Sequence, residues 1–222
     1  AASEHARRRG KLGFECEAFA DDLHSIAFLE RRGFVEHARF RQYGLDLSPG
    51  RDLDPEVPSG LELAWLVERP SLVAGMYEVA AATYPELGGY IGRQAETLVE
   101  WQVYELGSSN AMLDLTPVML CGAQVVGFST ARRLVDAGTA ELRMVSVRSE
   151  WRRRGVARAL VQAQLGAARD RGFRRLVVWL CEGGPAGLYR GLGFEPVAAC
   201  IVFRGPLLQR GETHGSPTSR PE

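Results

Sequence analysis

Histidine is missing from the chain between residues 51 and 213; the four present are His5, His24, His37 and His214. That gap excludes imidazole acid–base chemistry from the longest globular stretch. No G-x-S-x-G occurs, which removes the serine-hydrolase elbow. Cys16, Cys121, Cys181 and Cys200 lie far apart and form no C-x-x-C pair, so neither a metal site nor a redox motif is expected. Flanked mainly by apolar residues, they read as reduced, buried thiols of a cytoplasmic protein. Net charge is absent as well, with 27 basic against 27 acidic side chains and a single lysine, Lys11. A neutral chain offers no broad field to nucleic acid or to an anionic membrane. No apolar run is long enough to span a bilayer, and no signal-peptide pattern opens the chain. It begins Ala1-Ala2-Ser3 without methionine, as expected of a fragment or a processed chain.

What is present begins with a repeat. Residues 5–47, HARRRGKLGFECEAFADDLHSIAFLERRGFVEHARFRQYGLDL, and residues 167–207, AARDRGFRRLVVWLCEGGPAGLYRGLGFEPVAACIVFRGPL, follow one plan. Each runs from a basic helix end through a glycine, an apolar strand and a short helix closing on Gly-Phe into a second strand. Gly10 matches Gly172, and Gly33-Phe34 matches Gly193-Phe194. Residues 1–50 are therefore expected to be the C-terminal half of a unit whose complete form occupies 61–207. The Pro-, Gly- and Asp-rich stretch at 51–60 reads as a linker, and polar residues 208–222 as a disordered tail. So short a first segment buries little surface, and it is expected to be a truncated, non-catalytic scaffold.

Within 61–207 strands and helices alternate. LELAWLV (61–67) predicts a strand, Pro70-Ser71 opens a helix through about residue 82, and AETLVEWQVYEL (95–106) predicts a second helix. PVMLCGAQVVGFSTARRL (117–134) predicts a hairpin turning at Cys-Gly-Ala-Gln, and TAELRMVSV (139–147) the next strand. A helix over 155–171 carries Val156, Leu160, Val161 and Leu165 on one face. RRLVVWLC, PAGLYRGLG and PVAACIVFRG then read as strand, short helix and last strand.

The tetrapeptide Arg-Arg-Arg-Gly occurs at residues 7–10 and again at 152–155. The second copy lies in VSVRSEWRRRGVA (145–157), between a strand end and a helix start. There the first backbone N–H groups have no helical acceptor and the dipole is positive, so an anion is favoured. Gly155 and Ala157 let a phosphate approach the backbone, and Arg152, Arg153 and Arg154 add charge. Taken alone, Arg-x-x-Gly-x-Ala reads equally as a solvated basic turn. The first copy has no small residue at the position of Ala157 and aligns with the end of a helix, where Gly10 is a natural cap.

In its order of strand, Arg-x-x-Gly-x-Ala, amphipathic helix, strand and LYRGLGF, the stretch 61–207 resembles the GNAT family of N-acetyltransferases, most specifically over 141–194. The resemblance implies an α/β GNAT fold, a mixed central β-sheet flanked by helices. It implies acetyl-CoA as co-substrate, with its pyrophosphate cradled by Arg152, Arg153, Arg154, Gly155, Val156 and Ala157. The pantetheine arm would run along the strand at Met144, Val145 and Val147. It implies Tyr189 as proton donor to the departing thiolate; Leu29 is the matching residue of the first copy. It implies Glu141 as general base, with Glu182 the alternative. Six residues separate Glu141 from Val147, a spacing expected to put both on one strand face. Where many relatives have an asparagine before the short helix, this chain has Gly183 and Gly184. Two such units in tandem, one without catalytic residues, resemble two-domain members of the family.

The activity so implied is acetyl transfer to a primary amine of a small molecule or peptide by direct attack in a ternary complex. No nucleic-acid or membrane partner is expected. Tyr84, Glu86 and Tyr90 are candidates to meet the acceptor. The rival reading is a non-catalytic module that binds acyl-CoA for regulation or as a scaffold.

Overall fold

The computed structural model describes residues 13–47, 53–83, 97–136 and 138–206. The strands are β1 (Gly13–Phe19), β2 (Val35–Asp46), β3 (Glu62–Trp65), β4 (Pro117–Cys121), β5 (Gln124–Arg133), β6 (Thr139–Val147), β7 (Arg175–Cys181) and β8 (Glu195–Pro206). The helices are α1 (Leu23–Glu30), α2 (Val73–Thr83), α3 (Leu98–Glu105), α4 (Val156–Asp170) and α5 (Ala186–Gly191). Strand β1 pairs with β8, and β2, β7, β6, β5, β4 and β3 neighbour one another in that order. The chain divides into two compact units, one of Ala1–Arg39 with Ala199–Glu222 and one of Phe40–Ala198.

In the larger unit the order β2-β7-β6-β5-β4-β3 is antiparallel except where β6 meets β7. The expected hairpin forms, with Cys121 opposite Gln124 and Gly122 at φ 57° in its two-residue turn. Consecutive residues of β5 show which helices cover which face. Phe128 meets the Trp101 ring of α3 edge-on at 5.9 Å, whereas the next residue, Ser129, donates to Gln164 Oε1 of α4 at 2.9 Å. Adjacent strand residues point to opposite faces, so α3 and α4 lie on opposite sides. The α4 face expected from its spacing is the face that is buried. That helix closes at Gly172, φ 81°, whose N–H donates to Arg169 O while that of Phe173 donates to Ala168 O. On the other side, Thr97 caps α3 through a reciprocal exchange with Glu100.

In the smaller unit β1 runs antiparallel to β8, from Gly13 opposite Pro206 to Phe19 opposite Cys200. Asp22 caps α1 by accepting from the Ser25 N–H at 3.0 Å. Ala18, Ile201 and Phe203 form the buried cluster, with Ile26, Leu29 and Phe34 packed on it. Gly205 leaves room for Phe34, since a Cβ there would stand 2.6 Å from the ring.

The ends of α1 and α5 are alike in their hydrogen bonds. At the end of α1, Gly33 N–H donates to Glu30 O and Phe34 N–H to Leu29 O; at the end of α5, Gly193 donates to Arg190 O and Phe194 to Tyr189 O. Both glycines are left-handed, at φ 76° and 87°. Thus β1 corresponds to β7 and β2 to β8. The pairing crosses the copies, because β1 takes β8 and β7 takes β2. Each copy's first strand is completed by the last strand of the other.

Gln164 is fully buried and joins three elements, accepting from Ser129 Oγ and donating through Nε2 to Leu115 O at 2.7 Å. Gln164→Leu would leave a buried hydroxyl and a buried carbonyl without that partner, at roughly 1–3 kcal/mol each. Urea denaturation should show a loss of about 2 kcal/mol or more; a loss within error would mean that water or a shifted side chain replaces the amide.

Candidate active site

The site is built around one irregularity in β6. Against β5, Met144 stands opposite Thr130 but Leu142 stands opposite Ala131, so Arg143 is an extra residue in β6. A bulge of this kind bends its strand and increases the local twist. The parallel pairing with β7 covers Thr139 to Leu142, ends at the pair Leu142–Val178, and goes no further. Beyond it, Met144, Val145 and Val147 pair with β5 alone among the described residues. That leaves a wedge between β6 and β7, with backbone N–H and C=O groups along one wall.

The bulge also overturns one expectation. Glu141 and Val147 do not share a face, because the extra residue shifts the alternation by one. Leu142 lies in the cluster of Val161 and Leu165 on the α4 side, which sends Glu141 to the other side. Met144 lies with Trp101 and Phe128 on the α3 side, and Val147 with Val156, Ala159 and Leu160 on the α4 side.

At the far end of β6 the chain enters the loop that feeds α4. A short 3-10 turn, Ser149–Trp151, precedes it, and Arg152 turns back so that its Nε donates to Val147 O at 3.1 Å. Arg153 is left-handed at φ 61°, the single non-glycine residue with positive φ among those described, and Gly155 is left-handed at 85°. Arg154 lies 5.2 Å over the Trp151 ring. Residues 152–155 are exposed, and the nearest atom to a Cβ built on Gly155 is Pro58 Cγ at 3.6 Å. The first turn of α4 holds no acidic residue and no side-chain cap, so its positive end is unopposed from within the helix. Exposed backbone amides, two left-handed residues and three guanidinium groups suit a pyrophosphate. The residues fit acetyl-CoA: loop for phosphates, open β6 edge for the amide-bearing arm.

The two titratable residues have different settings. Tyr189 is 2% exposed in the α4-side cluster and meets the Phe194 ring edge-on at 5.5 Å. Burial pushes its phenol well above the ordinary value near 10, so it stays protonated. Glu141 is buried, its side chain 5% exposed, and both of its oxygens accept from Arg132, at 2.9 Å from Nε and 3.3 Å from the terminal nitrogen. Arg132 faces Glu141 across the β5–β6 register, a partner that no spacing within β6 reveals. Glu182 is exposed, just beyond β7. Gly183 is left-handed, φ 84°, and Gly184 donates its N–H to Cys181 O at 2.9 Å. Residues 7–10 and the acceptor candidates Tyr84, Glu86 and Tyr90 lie outside the described residues.

Two recesses of about 400 Å³ open elsewhere, one at the C-terminal half of α4 beside Leu53 and Trp65, the other around Asp136, Arg174 and Arg175. Neither is lined by a residue of 152–157. The wedge is a groove with open sides, and its case rests on backbone chemistry rather than on concavity. No group of metal-ligating side chains occurs among the described residues, and no helix among them is long and apolar enough to cross a membrane.

Residues 116–196 match the model of the acetyltransferase (GNAT) domain. Over 87 residues the chain is 37% identical to N-acetyltransferase 8 of Mus musculus, a match covering 36% of this chain and 38% of the mouse protein. In fold the chain is similar to a GCN5-related N-acetyltransferase from Sphaerobacter thermophilus, with a TM-score of 0.71 at 18% identity over 91% of this chain and 64% of that one. It is equally similar to a tandem GNAT protein from the clavulanic acid biosynthesis pathway, solved without acetyl-CoA: TM-score 0.71, 18% identity, 94% of this chain and 68% of that one. The chain thus spans well under half of the mouse protein and about two thirds of the two solved ones. The fold is the α/β GNAT fold, a mixed sheet flanked by helices.

Above about pH 10 the unfolded chain releases the Tyr189 proton while the folded one retains it. A group whose folded pKa is raised contributes stability below its unfolded pKa, and that contribution fades as pH rises. The loss approaches about 1.4 kcal/mol per pH unit in that window. In urea titrations at about pH 9 to 11, Tyr189→Phe should flatten the decline; an unchanged slope would place the alkaline titration on another group.

Proposed function

We propose that the chain is an N-acetyltransferase that moves an acetyl group from acetyl-CoA to a primary amine of a small molecule or peptide in a ternary complex. The observation that carries this reading is the continuity of two features along β6. The strand leaves β7 at Leu142, and eight residues after its end, at Gly155, a left-handed glycine opens α4. A ligand bearing phosphates at one end and amides along its arm is matched by both together.

When bound, acetyl-CoA supplies a thioester that the neutral amine attacks, forming the amide C–N bond, breaking C–S and leaving CoA thiol. The loop 152–157 would hold the phosphates through backbone N–H groups, with Arg153 and Arg154 adding charge. The open edge at Met144, Val145 and Val147 would align the arm. Tyr189 Oη would donate to the sulfur as charge builds there. The Glu141 carboxylate would take the ammonium proton, directly or through water, with Arg132 fixing its direction. Residues 1–50 would serve as the scaffold half of a tandem arrangement.

Two observations favour a second reading, a non-catalytic acyl-CoA module. Glu141 is already gripped by Arg132, and Tyr189 is buried. Turnover separates the two.

Thermal unfolding of the full chain comes first. Acetyl-CoA at about 100 times its Kd should add roughly 2.7 kcal/mol, a rise of about 5–10 °C in Tm. Gly155→Glu, which sets a carboxylate against the phosphates, should abolish the rise; a normal rise in that variant would remove the loop from the site. Tyr189→Phe should lower kcat on the order of 10²-fold with acetyl-CoA affinity unchanged. Equal turnover would take the tyrosine out of the chemistry, and no turnover by the wild type with any amine, despite binding, would establish the module.

A further inference from the structure

The wedge opens at Arg143, and the side chain of that residue is held from one side. Its guanidinium donates to Tyr104 Oη at 2.8 Å and lies 5.4 Å from the centre of the Tyr104 ring. Its Nε stands 4.0 Å from Glu105 Oε2. Tyr104 and Glu105 are the last residues of α3. The Glu105 side chain is completely buried and that of Arg143 is 24% exposed. A buried carboxylate that loses its cation is strongly destabilising. Rotating Arg143 to the other face of β6 would break both of these contacts.

This fixes the bulge. Arg143 and Met144 are successive residues that both turn toward α3, an arrangement a regular strand forbids. The last parallel pair with β7 is the residue immediately before them. Were Arg143 released, β6 could recover its alternation and the parallel ladder could extend past Leu142, closing the edge at Met144 to Val147. We propose that Glu105, through Arg143 and with Tyr104, is a positioning residue for the pantetheine arm of acetyl-CoA: the buried ion pair holds β6 off β7. This rests on the acetyl-CoA reading above. Neither Glu105 nor Tyr104 need touch the reacting atoms.

The test is calorimetric titration of the full chain at a temperature where circular dichroism shows every variant folded. Two probes are used: acetyl-CoA, and ADP, which carries a pyrophosphate but no pantetheine arm. Glu105→Gln should raise the acetyl-CoA Kd about tenfold while moving the ADP Kd less than about twofold. Amides 144–147 should then exchange with deuterium more slowly, as they gain partners on β7. If Glu105→Gln does not fold, Tyr104→Phe and Arg143→Lys keep a buried pair and should give the same split, more weakly. An acetyl-CoA Kd unchanged in every folded variant overturns the proposal and leaves the acetyl-CoA reading intact. Parallel weakening of both probes also overturns it, since that marks general softening. A wild type that binds ADP but not acetyl-CoA overturns the reading itself, and the tether with it.

Discussion

Four parallel residue pairs join β6 to β7, from Thr139–Arg175 to Leu142–Val178, and among the described residues there is no fifth. Unpaired backbone groups in a sheet normally find a neighbour, because leaving them unmet is costly. Here the strand is prevented from closing by being pinned on both faces and at its end. Met144 packs among Trp101 and Phe128, and Ser146 is bonded by Thr83 at 3.2 Å. Val147 is set among Val156 and Leu160, and Arg148 Nε donates to Val125 O at 2.8 Å. These contacts fix β6 beside β5 over the stretch where it has no partner on β7 among the described residues.

The ends of α1 and α5 match to the level of individual hydrogen bonds, yet the strands before those helices pair at a distance, β1 with β8 and β7 with β2. Local sequence dictates the turn, since Gly33 and Gly193 alone adopt its left-handed step without a Cβ penalty. It does not dictate the partner. Pairing β1 with β8 joins residues near the two ends of the chain. Closing so long a loop costs only slightly more entropy than closing a short one but slows folding. The matching phenylalanines pack differently: Phe194 meets the Tyr189 ring edge-on, while Phe34 sits in the space left by Gly205.

This division explains what was legible beforehand. The hairpin at Gly122, the buried stripe of α4, its cap at Gly172 and the loop before Gly155 all depend on residues within one or two turns of each other. They were readable as spacing. The bulge was not, because an extra residue is defined only against a partner strand, and so Glu141 and Val147 were expected on one face. The Arg132–Glu141 fork depends on the same unseen register. Nor does the sequence near Arg143 point to Glu105, 38 residues earlier; that pairing exists because α3 ends above the bend in β6. Pocket shape would not have located the site either, since the recesses lie elsewhere.

The settings of Tyr189 and Glu141 constrain the chemistry more than their identities do. A thiol titrates near ~8.5 and an ordinary phenol near ~10, and burial raises the Tyr189 phenol further. Full proton transfer from it to a thiolate therefore runs uphill. What a buried neutral phenol offers is a hydrogen bond to sulfur that strengthens as negative charge develops and exists at every pH the fold survives. Glu141 carries the opposite constraint. Both oxygens of its carboxylate accept from one guanidinium, that of Arg132, which makes it a directed acceptor of hydrogen bonds. The two groups thus differ in kind: one is a buried neutral donor and the other a carboxylate whose direction is set by its partner on β5.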